Sequence, residues 1–322
     1  AAYFINDLEA LRGKDKEARN AKKDEDMLFY PAPSRSPYDP DGHHDGERVS
    51  RTEVLEVLMK KPEHLIIVTY PDALVPLVVG REVMQKNTLS IKRNEELPID
   101  TLEEWMLETG FTRVEFVYEP GQFSVRGGIV DVFSYGSDKP YRIELFGDTV
   151  ESVRRFDPQD QLTVERLAEA VIVPDLQDED AANQQTFFDQ LPQDAVIWMR
   201  DLQAIGDAAT KQLKLLGEAY EKLQEKEKHP RPEELLATDS ALIKGTLGFR
   251  KVFWGKAVHH KGIANELTAT TLRRDGNATQ DKHARVVDFQ QRPQPTFAKE
   301  FKVLSGDLHN KQNAGYTNLI AC

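Results

Sequence analysis

Between residues 112 and 156 the chain turns back on itself four times. Pro120-Gly121, Gly127-Gly128, Gly136-Ser137-Asp138 and Gly147-Asp148 separate β-type runs at 112–118, 123–126, 129–134, 141–146 and 149–156. Runs this short, parted by turn residues, leave no room for crossover helices and predict antiparallel hairpins. Leu97-Pro98-Ile99-Asp100 leads into a predicted helix over 101–109, with Gly110 at its stop. Residues 89–97 read as a further strand, and the unit is predicted to end near Val173-Pro174. The expectation is a small α+β domain over 88–175.

On either side the pattern changes. A short strand at 27–32 ends in proline, and turn-rich residues 34–47 follow. Ser50 reads as a helix cap with Glu53 at the capping-box position and Val54, Leu55 and Leu58 facing inward. Residues 64–74 read as a continuous apolar strand followed by a turn and another helix. Beyond 175 come an acidic linker running into a helix, a buried strand at 195–199 and a long helix from Asp201 to Lys228. That helix places Leu202, Ile205, Ala209, Leu213, Leu216, Tyr220 and Leu223 on one face. A helix over 232–246, strand 251–254, strand 284–289, helix 297–310 and strand 316–321 complete the reading. Alternating strand and helix predicts α/β domains over 1–87 and 176–322. At the start, Tyr3, Phe4, Leu8 and Leu11 share a helical face, and 13–26 is a charge run read as an exposed loop.

Charge narrows the function. The chain carries 54 acidic and 42 basic residues, a net charge of −12 over 322 residues. A surface built to grip duplex phosphate is usually basic, so DNA binding is not the expected main role. Cys322 is the only cysteine, which excludes a disulfide framework and a thiolate zinc site and fits a reducing cytoplasm. No apolar run approaches the length of a membrane span. The first residue is not Met and the last residues read as a strand end, so a piece of a larger protein is expected.

The stretch PYRIELFGDTVESVRRF, 140–156, carries the candidate site. Strict alternation sends Tyr141, Ile143 and Leu145 to one face and Arg142, Glu144 and Phe146 to the other. Either a helix or loop covers Phe146 and Arg142 makes a rim salt bridge, or the aromatic and the arginine form an exposed interface anchor. Gly127-Gly128 permits a bulge or tight bend that fixes how Arg126 projects. If the strands at 123–126 and 141–146 share a face, Arg126 stands beside Arg142 and Phe146.

The order and spacing of EPGQFSVRGGIVDVFS and PYRIELFGDTVESVRRFDPQDQ resemble bacterial transcription-repair coupling factors, whose module also occurs in the excision-repair protein UvrB. YFINDLEAL and FAKEFKVLSGDLHNKQNAGYTNLIAC resemble the coupling factors more than UvrB. The resemblance implies two degenerate RecA-like or helicase-like α/β domains flanking an inserted α+β domain that docks onto UvrA, the damage-recognition ATPase. It places the UvrA-contacting residues at Arg126, Arg142 and Phe146. It further implies that the whole protein binds RNA polymerase and double-stranded DNA, translocates using ATP and Mg, and masks its UvrA-facing surface with a C-terminal domain.

No catalytic residue, cofactor site or metal site is assigned. No G-x-x-x-x-G-K-[ST] phosphate loop is present; Gly255-Lys256 is preceded by Trp254 and followed by Ala257. Residues 33–49 are too short for the long DNA-clamping hairpin of UvrB. His43-His44-Asp45 with Glu47, and His259-His260, lack the spacing of a metal site and read as solvated. Asp148 and Glu151 flank a tight turn, which explains the aspartate without acid–base chemistry. The competing expectation is a UvrB-like helicase piece that binds nucleotide and DNA.

Overall fold

The computed structural model describes residues 5, 6, 8, 27–34, 36–38, 45–176, 183–253, 271, 272, 278, 279 and 301–315. The readings of 3–11 as a helix, of 13–26, of His43-His44, of Gly255-Lys256, of His259-His260, and of strands at 284–289 and 316–321 lie wholly or largely outside these residues. The described residues form a mixed α/β structure of several small sheets and one large one.

Strand β1 (Met27–Phe29), helix α1 (Asp45–Met59) and strand β2 (Ile66–Val68) make the first unit. β1 and β2 are parallel, with Met27 opposite Ile66. Parallel neighbours need a crossover, and α1 supplies it, burying Val49, Val54 and Leu58. The helix starts before the expected cap. Ser50 lies inside α1 and donates its hydroxyl to the Gly46 carbonyl at 3.0 Å, the usual way a helical serine satisfies itself four residues back. Of the apolar run 64–74, only three residues are strand; Pro71–Leu74 form a 3₁₀ turn. Strand β3 (Val78–Val79) and helix α2 (Arg81–Asn87) follow.

Strand β4 (Leu89–Lys92) opens the second unit, and helix α3 (Ile99–Glu108) stops ahead of Gly110. Strands β5 (Thr112–Arg113), β6 (Gln122–Arg126), β7 (Ile129–Val132), β8 (Tyr141–Phe146), β9 (Thr149–Phe156) and β10 (Thr163–Leu167) lie side by side in chain order. β6 to β10 are antiparallel, as expected. β5 departs from expectation: it is two residues long and runs parallel to β6. Residues 114–121 loop back instead of continuing the strand, with the Val114 N–H donating to the Phe123 carbonyl.

Strand β11 (Glu169–Ile172) pairs antiparallel with β4, Ile172 facing Leu89. The segment from β4 to β11 therefore enters and leaves through one two-stranded stem. α3 lays Leu102 and Met106, one helical turn apart, on the inner face of the sheet. There they join Phe123, Val130, Val132, Ile143, Leu145, Val150 and Val153. Each such side chain contributes about 1.5–3 kcal/mol on burial. One face of the large sheet is thus packed, and the other carries Arg142, Glu144 and Phe146.

Strand β12 (Gln184–Gln185) pairs with β3 where the sequence predicted linker and helix start. Helix α4 (Phe187–Gln190), strand β13 (Val196–Met199), helix α5 (Gln203–Tyr220), helix α6 (Pro232–Leu235), helix α7 (Asp239–Thr246) and strand β14 (Arg250–Phe253) complete this part. β13 and β14 are parallel. β13 is not the buried strand expected. Val196 and Trp198 are 41% and 69% exposed on one face of the strand, while the alternate residues Ile197 and Met199 turn toward the core. The long helix ends at Tyr220 rather than Lys228, since 221–228 offers only Leu223 for burial. The predicted helix over 232–246 is broken at Leu236-Ala237. The Ala237 N–H donates to the Val75 carbonyl at 2.8 Å, and Thr238 caps α7 by accepting from the Ala241 N–H.

Segments 27–87 and 183–253, which fall within the expected outer domains 1–87 and 176–322, share one buried cluster. Tyr30, Val54, Leu58 and Val75 meet Phe187, Phe188, Ile205, Leu216, Leu242 and Phe249. Strands β15 (Thr271–Leu272) and β16 (Ala278–Thr279) form an antiparallel pair, and helix α8 (Phe301–Asn313) lies within three residues of its expected end. Among the described residues no helix is long and apolar enough to cross a membrane.

Candidate functional site

Two tight hairpin tips define the site. Arg126 pairs with Ile129 across Gly127-Gly128, and Phe146 pairs with Thr149 across Gly147-Asp148. In each loop the first central residue is a glycine with φ of +60° and the second has no positive φ. That is the type II′ turn, whose twist matches the flanking strands. The arginine and two glycines therefore end a strand rather than interrupt one. Gly128 is needed for a second reason: a Cβ there would sit 2.5 Å from the Leu145 carbonyl oxygen. The two tips lie side by side, because the Leu145 N–H donates to the Gly128 carbonyl at 2.7 Å.

Alternation along β8 runs as expected: Tyr141, Ile143 and Leu145 are buried, and Arg142, Glu144 and Phe146 take the opposite face. Phe146 is 82% exposed. No helix or loop covers the ring, which departs from the first sequence reading, whereas Arg142 makes the salt bridge that reading expected. The register also places Arg126 on this outer face, two residues from Ser124, which stands in one row with Asp131 and Arg142.

Arg126 and Arg142 meet on one carboxylate. Asp131, 1% exposed, accepts from Arg142 Nε at 2.6 Å on Oδ1 and from Arg142 Nη2 at 2.8 Å on Oδ2. Arg126 Nη2 donates to the same Oδ2 at 2.6 Å. Arg142 also donates to the Gln161 side chain at 2.7 Å and lies 4.2 Å from the centroid of the buried Phe156 ring. These contacts leave its side chain 14% exposed, against 35% for Arg126. The hydrogen bonds to Asp131 push the Arg142 guanidinium further up from its ordinary value. Arg126 reaches the other way, donating to the Glu115 carbonyl at 2.7 Å and stacking 5.1 Å from the half-exposed Phe116 ring.

Next along β8, Glu144 accepts from the Ser152 hydroxyl at 2.6 Å and from Arg154. The Ser152 bond, then the Arg154 charge, hold its carboxyl below the ordinary value. The three residues singled out from sequence thus share a face but differ in kind. Phe146 is a bare apolar ring, Arg126 is half-sheltered, and Arg142 is largely absorbed by its own sheet. Asp131, Phe116 and Gln161 were missed. The signal for Asp131 was present: a carboxylate inside the run Ile129–Val132, where strands rarely carry one. No group of three or more His, Cys, Asp or Glu able to hold a metal is found among the described residues.

Residues 89–177 match the family model of the UvrB interaction domain. The chain is 36% identical over 151 residues to the transcription-repair-coupling factor of Myxococcus xanthus, a match covering 46% of this chain and 12% of that protein. It is 29% identical over 150 residues to that of Haemophilus influenzae, covering 47% and 13%. With the Bacillus subtilis protein it shares 34% over 127 residues, covering 39% and 11%. The chain thus spans about an eighth of the length of these relatives. Over close to half its length the chain resembles bacterial transcription-repair-coupling factors, and its segment 89–177 matches the UvrB interaction domain.

Proposed function

We propose that this chain is a recruitment module of a transcription-repair coupling factor that binds UvrA through the outer face of β6, β7 and β8. Phe146 carries the reading: an almost fully exposed aromatic at a rigid hairpin tip, within a segment that matches the UvrB interaction domain. A single exposed apolar residue is ordinary, but an aromatic ring on the same face as two arginines has the composition of an interface anchor. Arg126 and Arg142 complete the surface. Asp131 fixes both, so the face is preorganised before a partner arrives.

In this reading the chain does no chemistry and takes no cofactor. Residues 1–87 and 176–322 are degenerate RecA-like parts that present the inserted domain, 88–175. The whole protein works in the cytoplasm, uses ATP and Mg to pull on double-stranded DNA, displaces stalled RNA polymerase, and delivers UvrA to the lesion. Calorimetric titration of the chain with UvrA tests the recruitment step: a saturable complex that Phe146→Ala weakens supports it, and no complex refutes it. A parallel ATP titration tests the absence of nucleotide chemistry, and saturable binding would overturn that part.

A further inference from the structure

The outer face holds more arginines than its carboxylates balance. One cross-strand row runs Ser124, Asp131, Arg142, Arg154, Arg166, one residue from each of β6 to β10. Three arginines stand directly opposite one another, an arrangement that weakens a sheet unless each charge is met. Asp131 meets Arg142, and Glu144 meets Arg154. Arg154 Nε is buried without a partner, and the exposed Arg166 side chain makes no hydrogen bond or ion pair among the described residues. On the same strand and the turn before it, Val164 and Leu162 are exposed as well.

We infer that Arg166 is the charge-reading residue of the UvrA-binding face, taking a carboxylate from a partner surface that is acidic and offers an apolar socket for Phe146. The inference rests on the recruitment reading above. Arg126, Arg142 and Arg154 each have a carboxylate of this chain beside them, so among these outer-face arginines Arg166 is the one whose charge a partner carboxylate would balance. A surface that tracks phosphates needs several free cations, each releasing a counterion. A single free guanidinium with apolar neighbours, on a chain of net charge −12, fits an acidic protein surface instead.

The test is surface plasmon resonance of the whole chain against UvrA at two ionic strengths, with Phe146→Ala, Arg166→Glu and Arg166→Lys. Charge reversal at an exposed rim position is expected to slow association roughly tenfold at low salt and to flatten its salt dependence. Arg166→Lys is expected to keep most of the wild-type rate. Binding that Phe146→Ala abolishes while Arg166→Glu leaves it unchanged, or tightens it, would overturn the assignment of Arg166 and leave the recruitment reading standing. Failure of the wild-type chain to bind would overturn the recruitment reading itself. Duplex DNA captured by the wild-type chain and released by Arg166→Glu would overturn the acidic-protein assignment in favour of phosphate.

Discussion

Arg142 grips Asp131 with two parallel hydrogen bonds, 2.6 and 2.8 Å long, while the carboxylate itself is out of reach of solvent. Arg126 closes the same carboxylate from a neighbouring strand. The pair makes this face a fixed shape rather than a set of free charges.

Removing the carboxylate tests that role. Asp131→Ala leaves two guanidinium groups without their counter-charge. Breaking a buried ion pair typically costs about 3–5 kcal/mol, and partial exposure of both arginines lowers the expectation here to about 2–3 kcal/mol. Urea denaturation of the chain reads it. A loss under about 0.5 kcal/mol, the level of an ordinary surface substitution, would contradict the account.

Arg142→Ala and Phe146→Ala are expected to behave differently. Arg142 is tied to Asp131, Gln161 and Phe156, so its loss lowers stability together with partner binding. Phe146 packs on little, so its loss leaves the melting temperature within about 1 °C of wild type, given the few degrees that each kcal/mol shifts it. Thermal unfolding of the two variants distinguishes them, and equal destabilisation would be the wrong outcome.

The two glycine turns are expected to fail for separate reasons. At Gly147 the space is open and only the positive φ is strained, so Gly147→Ala costs about 1–2 kcal/mol. At Gly128 the new methyl meets the backbone oxygen of Leu145 at 2.5 Å, which a rotamer change cannot relieve. Gly128→Ala is expected to cost more than Gly147→Ala and to disturb the position of Phe146. Denaturant midpoints of the two variants give the order.

Acid is expected to loosen the outer face. Glu144 titrates below its ordinary 4.5 in the folded chain, chiefly through the Ser152 hydroxyl and then Arg154. A carboxylate with a depressed folded pKa adds stability that is present above its unfolded value, and this is lost as pH falls through the lower, folded one. Glu144→Gln therefore flattens the fall in stability below pH 4.5 and lowers stability at neutral pH. A pH series of denaturation curves on both proteins checks the sign.

Much of the segment from β4 to β11 was legible because two signals coincide there. Two-residue glycine turns and strict alternation fix both ends of β8 and β9, which run 141–146 and 149–156 as expected. The same alternation gave the face of Phe146, while whether anything covered the ring was left open by the pattern. Elements set by distant partners were not readable. β5 and β12 are two residues long, too short to carry a period, and exist through the strands they meet. The break between α6 and α7 comes from Val75, more than 150 positions earlier in the chain, bonding Ala237. The burial of Asp131 depends on arginines from two other strands, so its own neighbours in sequence mark it as unusual without saying that it is covered.

The central claim is tested most directly by titrating UvrA into the wild-type chain and into Phe146→Ala in one calorimetric series. Loss of a true aromatic anchor costs about 2 kcal/mol, so a complex with the wild type about 30-fold tighter than with the variant is the predicted result. Equal affinities for the two proteins, with both correctly folded, would contradict it.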